Sequence, residues 1–144
     1  LVDLSHLNNP RRVALGLEHN RLAMMLAILH RHGGVALADH DVFINGVGGM
    51  RITETGADLP MLLALYSSFR DRPLRDRVIC FGEVGLSGEI RPVPDGEQRL
   101  KEAASHGFKA AVVPAANAPR KPLAGLEVIQ ARNVGETLER IGQG

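Results

Sequence analysis

The sequence predicts an α/β fold, because segments with the two-residue period of a β-strand alternate along the chain with segments of helical period. The chain has 144 residues, which suits one domain, and we expect 1–144 to fold as a single unit. Hydrophobic residues make up 44% of the chain and aromatic residues only 3%, so the core must be built mainly from aliphatic side chains.

The first full strand is predicted over 12–18, which has the alternation of a half-buried strand. The apolar residues that share one face of this strand are Val13, Leu15 and Leu17. A helix is predicted over 20–32, where apolar residues follow the spacing i, i+3, i+4 and i+7. The residues of this stripe are Leu22, Met25, Leu26 and Leu29. Gly33 and Gly34 are expected to end the helix.

A glycine-rich bend separates the next two elements. A strand is predicted over 41–45, and the glycines within 46–49 permit a tight bend or a close backbone approach. A second helix is predicted to begin at Asp58, which can cap it, and Pro60 is tolerated in its first turn. The apolar stripe of this helix consists of Leu59, Leu62, Leu63 and Tyr66.

The second half of the chain continues the same alternation. A short buried strand is predicted over 78–81, and a glycine-punctuated turn between strands follows over 82–91. A third helix is predicted to begin at Asp95, where Gln98 completes a capping-box pattern, and to end at Gly107.

Two strands and one helix complete the predicted elements. The strands are expected over 109–113 and 126–131, with a proline-containing loop over 115–125 between them. Asn133 and Glu136 are then expected to cap a last short helix. This order of elements is that of a mixed α/β domain.

Charge and cysteine content exclude several classes of site. The formal net charge is +1, so any binding to nucleic acid would need a local basic patch. The single cysteine, Cys80, excludes an internal disulfide and a multi-cysteine zinc site, and its apolar neighbours predict a buried, inert thiol. Because we find neither a signal peptide nor an apolar run of about 18 residues, we expect a cytoplasmic protein that does not contact membranes.

The sequence also predicts no cofactor in this domain. It contains no Gly-x-x-x-x-Gly-Lys-Ser/Thr motif, which forms the standard cradle for nucleotide phosphates. His30 and His32 are two residues apart on a predicted helix and point to different faces, and the other histidines are scattered. A helical metal site uses the spacing i, i+4, so we expect no metal site.

Six segments together carry a family resemblance that covers essentially the whole chain. They are Asn-Pro-Arg-Arg (9–12), Asn-Arg-Leu-Ala-Met (20–24), Asp-Val-Phe-Ile-Asn (41–45), Ser-Ser-Phe-Arg-Asp-Arg-Pro-Leu (67–74), Phe-Gly-Glu-Val-Gly-Leu-Ser-Gly-Glu (81–89) and Arg-Leu-Lys-Glu-Ala-Ala (99–104). In order and spacing they are similar to the Lon-protease-like C-terminal domain of the RadA (Sms) family of bacterial DNA repair proteins.

The resemblance implies the two-layer α/β fold of the Lon peptidase domain and of the second domain of ribosomal protein S5. It also implies a ring-shaped homo-oligomer, expected to be a hexamer, and double-stranded or branched DNA as a partner. Members of the family are ATP-dependent motors that promote branch migration in recombination and repair, and they carry an N-terminal zinc finger and a RecA-like ATPase. Neither module lies within 1–144, so we expect a fragment of a larger protein whose missing part binds ATP, Mg²⁺ and Zn²⁺.

The resemblance further implies that a peptidase site has been lost. Lon peptidases use a serine nucleophile and a lysine base, and the matching positions here are Gly56 and Arg99. Glycine offers no nucleophile, and arginine keeps its proton at physiological pH. We therefore expect no catalytic residue in this domain. The alternative is a Lon-like Ser/Lys-type peptidase with a displaced site, for which Thr55 and Lys101 are the nearest substitutes.

Basic residues indicate where DNA phosphates could be bound, because Lys and Arg supply most of the affinity for DNA. The candidate DNA-contacting residues are Arg11, Arg12, Arg21, Arg91, Arg99 and Lys101. Four more arginines lie within 70–77, but interleaved aspartates favour a solvated face or a subunit-interface ion pair there. A purely structural ring scaffold that does not contact DNA is the remaining alternative.

Overall fold

The computed structural model describes residues 1–142, and in that range it contains eight strands and four α-helices. The strands are β1 (Val2–Leu4), β2 (Arg12–Leu15), β3 (His40–Asn45), β4 (Val78–Cys80), β5 (Glu83–Val84), β6 (Ile90–Arg91), β7 (Ala110–Pro114) and β8 (Glu127–Ala131). The helices are α1 (His19–Gly33), α2 (Asp58–Arg70), α3 (Gly96–Ser105) and α4 (Val134–Gly142). The predicted α/β class is confirmed, whereas the Lon-like two-layer fold stays a prediction.

The strands form two three-stranded sheets and one hairpin. In the first sheet β3 is central, antiparallel to β1 and parallel to β2. In the second sheet β7 is central and parallel to both β4 and β8. The antiparallel hairpin of β5 and β6 occupies the segment that the sequence predicts as a turn between strands.

Two aliphatic clusters form the core. In the larger one, α1, α2 and α4 bury residues such as Leu29, Leu62 and Val134 together with Val42 of β3. The smaller cluster joins α3 to the second sheet, and Leu100 is fully buried there. No helix within 1–142 has the length and apolar character needed to cross a lipid bilayer.

The helices lie where the sequence predicts them, but two predicted caps are wrong. Gly34 ends α1 with the left-handed φ of +67°, as predicted, and Asn133 Oδ1 accepts the N–H of Glu136 at the start of α4. Asp58 is the first residue of α2, and its carboxylate binds groups outside the helix. Asp95 precedes α3 with a φ of +61° and makes no side-chain capping bond.

The apolar side of β2 faces outward. The strand is shorter than predicted, and its pairing with β3 places Arg12 and Ala14 on the side of the fully buried Val42. Val13 and Leu15 lie on the opposite side and are 37% and 59% exposed. The predicted alternation is therefore present within β2, but Val13 and Leu15 are on the exposed face, whereas Leu17, beyond the end of the strand, is buried.

Candidate functional site

The two positions that match the peptidase dyad lie next to each other. Gly56 is buried in the short 3₁₀ turn before α2, and Arg99 extends from α3. A Cβ atom placed on Gly56 would lie 4.0 Å from Nη1 of Arg99 and 3.3 Å from Cγ1 of Val93. A nucleophile at position 56 and a base at position 99 would therefore be neighbours, which is the relation that a Ser/Lys dyad requires.

Arg99, at the position that the resemblance matches to the base, has a guanidinium with three contacts. Its Nε donates to the carbonyl of Pro94 at 3.0 Å, and its Nη2 lies 3.5 Å from Oε2 of Glu54. The guanidinium also lies over the ring of Phe81, 5.6 Å from the ring centre. Such a group cannot accept a proton at physiological pH, so these contacts fill the site without supplying a base.

Thr55 and Lys101, the two nearest substitutes for the dyad, do not contact each other among the contacts of the described residues. Thr55 is exposed beside Gly56. Lys101 forms an i, i+4 ion pair with Glu97 on α3, with Nζ 3.7 Å from the carboxylate. Lys101 is two residues beyond Arg99, a rotation of about 200° around the helix, so it points away from Gly56. A displaced peptidase site gains no support from this geometry.

Arg21, a candidate DNA contact, is held in an internal hydrogen-bond network. Its Nε and Nη2 donate to Oδ1 of Asp58 at 3.0 and 2.6 Å, and it donates further to the carbonyls of Ile52 and Glu54. Oδ2 of Asp58 accepts the N–H of Val84 at 3.1 Å. The network therefore ties α1, the segment before α2 and the β5–β6 hairpin together, which is a structural role for Arg21.

Arg11 and Arg12 are adjacent but differ in what they bind. The N–H and guanidinium of Arg11 donate to the carboxylate of Asp41 at 2.6 and 3.1 Å, and the guanidinium lies over Phe43. These bonds, led by the one from the backbone N–H, hold the pKa of Asp41 below its ordinary value. Arg12 points inward instead, and its Nη2 donates to the carbonyl of Leu37 at 2.7 Å.

Three of the candidate DNA contacts remain more than half exposed, and each lies beside a carboxylate. They are Arg11, Arg91 and Lys101. Arg91, for example, lies 3.0 Å from the carboxylate of Glu89 and 3.6 Å from that of Glu83. The pairs of Arg91 and Lys101 are with exposed carboxylates and are weak, so these two side chains can still reach a phosphate. Arg11 pairs with the buried Asp41, and it can reach a phosphate through the exposed part of its guanidinium.

An exposed apolar surface lies around β2, where the sequence does not predict one, and we call it the apolar patch. Its members are Val13, Leu15, Val47 and Met50. Val47 and Met50 are 80% and 66% exposed and lie on the glycine-rich loop after β3. The N–H of Gly46 donates to the carbonyl of Leu15 at 2.7 Å, which fixes the loop against β2. Leu15 and Met50 line a cleft of about 950 Å³. An alternating pattern predicts which residues share a face of a strand, but it does not predict which face packs against the core.

The cysteine and the histidines complete the account of the polar groups that could take part in chemistry. Cys80 is half-buried rather than buried as predicted, and desolvation raises the pKa of its thiol to about 12, so the thiol is protonated at neutral pH. His32 Nε2 is hydrogen-bonded to the carbonyl of Leu86 at 2.9 Å. Within residues 1–142, no group of three His, Cys, Asp or Glu side chains is placed to hold a metal ion.

Comparison with known proteins gives the family. The model of the family described as subunit ChlI of Mg-chelatase matches residues 19–117, which is well over half of the chain. The chain belongs to this family. The ChlI-family match begins with α1 and ends with the 3₁₀ turn Ala115–Asn117, so it includes both Gly56 and Arg99.

Relatives named DNA repair protein RadA confirm the predicted resemblance. Those of Salmonella typhimurium and Escherichia coli are each 59% identical over 138 residues, which is 96% of this chain and 30% of the relative. The relative from Bacillus subtilis is 42% identical over 140 residues, again 96% of this chain and 30% of the relative. The chain thus spans less than a third of the length of these curated relatives.

Proposed function

We propose that this chain is a non-catalytic module of an ATP-dependent DNA repair and recombination motor that promotes branch migration. In this role it joins copies of the protein into a ring and contacts double-stranded or branched DNA. The relatives named DNA repair protein RadA support a role in DNA repair. The ATPase and the zinc finger, with their ATP, Mg²⁺ and Zn²⁺, are expected in the part of the relatives that this chain does not span.

The absence of catalysis in this proposal rests on the dyad positions. Gly56 and Arg99 are neighbours, as a dyad would be, yet they provide neither an attacking oxygen nor a base. The contacts of Arg99 with Pro94 and Glu54 hold its charge in the site. The fold of a peptidase can be retained for assembly when the chemistry is lost, because function depends on the site rather than the fold.

The observation that carries the proposed ring is the apolar patch. Monomeric soluble proteins seldom expose contiguous apolar surface, and a strand at the end of a sheet invites pairing with another chain. Among the described strands β2 pairs only with β3, and it carries Val13 and Leu15 outward. We infer that this patch packs against a different surface of a neighbouring copy, which is the head-to-tail contact that closes a ring. A hexamer is the expected size.

Leu15→Asp is expected to convert the ring into monomers, because a carboxylate would be buried without a partner in the subunit interface. Light scattering coupled to size-exclusion chromatography measures the mass. Leu86→Asp is the matched control, since Leu86 is 65% exposed on the β5–β6 turn, outside the apolar patch. A wild-type chain that stays monomeric, or equal masses for the two variants, would remove the patch as the interface.

DNA contact is tested by fluorescence anisotropy of a labelled duplex at several salt concentrations. We expect the logarithm of the affinity to fall linearly with the logarithm of the salt concentration. Arg11→Gln is expected to reduce the slope by about one, the effect of losing one phosphate contact. Lys109→Gln removes a positive charge from an exposed residue outside the candidate set and is expected to leave the slope unchanged. An unchanged slope in Arg11→Gln would place the DNA-binding surface elsewhere.

A ring scaffold that does not touch DNA is the second candidate. The observation that favours it is the pairing of the candidate cations, since Arg11, Arg91 and Lys101 each lie beside a carboxylate of this chain. The same titration decides between the two functions. A ring that shows no affinity for duplex DNA even at low salt would establish the scaffold and assign DNA contact to another part of the protein.

A further inference from the structure

A groove crosses the second sheet between α2 and α4, and we call it the basic groove. Its volume is about 510 Å³. The floor is one row of the sheet, formed by Cys80 of β4, Val112 of β7 and Ile129 of β8, which are register partners on neighbouring strands. The half-buried side chains of Leu74 and Ile141 extend this apolar surface. The described residues of the floor therefore present apolar side chains to the groove.

The rim of the basic groove is positively charged. Its arginines are Arg70, Arg72, Arg75 and Arg140. Among the residues described in 1–142, the lining side chains include one carboxylate, that of Glu127, whose Oε2 lies 2.7 Å from Nη1 of Arg75. Arg70 donates to the hydroxyl of Tyr66 and lies over its ring. Arg140 donates one bond to a backbone carbonyl of this chain, and both Arg140 and Arg72 are exposed. The groove thus has a clear excess of positive charge.

An occupant that fits both features carries carboxylates and apolar side chains together. Covering the apolar floor removes it from water, at about 25 cal/mol for each Å² buried. Guanidinium groups bind carboxylates through two parallel hydrogen bonds, which favours aspartate and glutamate at the rim. The arginines lie at the rim of the groove and the apolar side chains lie on its floor. An occupant that contacts both therefore needs acidic and apolar groups close together along its chain.

A nucleobase fits the basic groove less well. Nucleic acids bind such grooves by stacking bases on aromatic rings, and the ring of Tyr66 is already covered by Arg70. The hydroxyl of Ser67, which also lines the groove, donates to the carbonyl of Arg72 at 2.5 Å. The polar edge of a base would therefore lie over an aliphatic floor with few partners, which is costly.

We propose that the basic groove binds a short acidic segment of a partner protein that carries apolar side chains next to its carboxylates. The binding would be independent of the proposed ring and of DNA contact, because it uses a different surface from β2 and the candidate DNA residues. The groove would then be the place where a second protein is attached to this module.

The test uses a labelled synthetic peptide in which three aspartates are followed by two leucines and a phenylalanine. Its anisotropy is measured against the full chain. We expect saturable binding that Arg72→Glu weakens about tenfold, since the reversed charge repels the carboxylates. Arg51→Glu, the same charge change on an exposed arginine outside the groove, is expected to bind the peptide as the wild type does. Glu127→Gln is expected to tighten binding severalfold, because it removes the carboxylate of the rim.

Two further measurements test the contribution of the apolar floor to peptide binding and the competing possibility of a nucleic-acid site. A peptide with serines in place of its leucines and phenylalanine is expected not to bind, because the floor would stay uncovered. A single-stranded oligonucleotide is expected not to displace the acidic peptide. The proposal is overturned if the peptide does not bind, if Arg72→Glu and Arg51→Glu behave alike, or if the oligonucleotide displaces the peptide, in which case the groove is a nucleic-acid site.

Discussion

Asp58→Ala is expected to lower the free energy of unfolding by about 4 kcal/mol, the typical cost of removing one partner of a buried ion pair. The substitution leaves the guanidinium of Arg21 without its carboxylate partner, and this is costly because only 17% of the Arg21 side chain is exposed to water. It also leaves the N–H of Val84 without its acceptor in a buried position. Urea denaturation of the wild type and the variant, at equal protein concentration, measures the loss.

Two further variants test the physical reason for this loss. Arg91→Ala removes an exposed arginine that lies beside two carboxylates, and is expected to cost no more than about 1 kcal/mol. Combining Asp58→Ala with Arg21→Met removes both buried charges, and is expected to be less destabilising than Asp58→Ala alone. If Asp58→Ala cost no more than Arg91→Ala, the network would not be what holds these elements together.

Two of the arginines predicted to contact DNA, Arg21 and Arg99, converge on Glu54. Arg21 donates to the carbonyl of Glu54 at 2.6 Å, and Arg99 lies 3.5 Å from the carboxylate of the same residue. Glu54 directly precedes the turn that contains Gly56. Arg21 therefore holds the segment before α2 through a hydrogen bond to its backbone, and the exposed pair of Arg99 with Glu54 adds a weaker contact.

The sequence predicts the periodic elements, but only two of the four helix caps discussed above, Gly34 and Asn133, for a physical reason. The stripe of α1 and the alternation of β2 repeat over several residues, so they survive in the folded chain. A cap depends on one side chain, and Asp58 meets stronger partners in Arg21 and the N–H of Val84. Tertiary contacts of this kind join residues far apart in the chain, so they cannot be predicted from a local sequence pattern.

The candidate site is predicted in part. The family resemblance places the dyad at Gly56 and Arg99, and their adjacency agrees with that register. Residue type alone made Arg12 a candidate for DNA contact, whereas in the structure it donates to the carbonyl of Leu37. The direction of an arginine depends on which carbonyls the fold brings within reach. The outward face of β2 was missed for a similar reason, since it depends on the order of strands in the sheet.

Gly16→Ala is expected to lower the free energy of unfolding by about 3 kcal/mol and to weaken the proposed ring. Gly16 has a φ of +81°, and a Cβ there would lie 2.3 Å from the carbonyl oxygen of Met50, so the backbone must shift. The shift would disturb two bonds of 2.7 Å, from the N–H of Gly46 to Leu15 and from the N–H of Ile52 to Gly16. Thermal or urea unfolding measures the stability, and light scattering measures the mass.

Gly34→Ala is the control that measures the cost of a left-handed backbone alone, without the clash that Gly16→Ala makes with the carbonyl of Met50. Gly34 has a φ of +67°, similar to that of Gly16, but nothing lies within 4 Å of a Cβ placed on it. Its replacement is expected to cost only about 1 kcal/mol, the ordinary penalty of a left-handed alanine, and to leave the assembly intact. The difference between the two variants isolates the contact between Gly16 and Met50. Equal losses would mean that the glycine-rich loop moves freely, and a loop that moves freely could not hold Val47 and Met50 in a fixed interface.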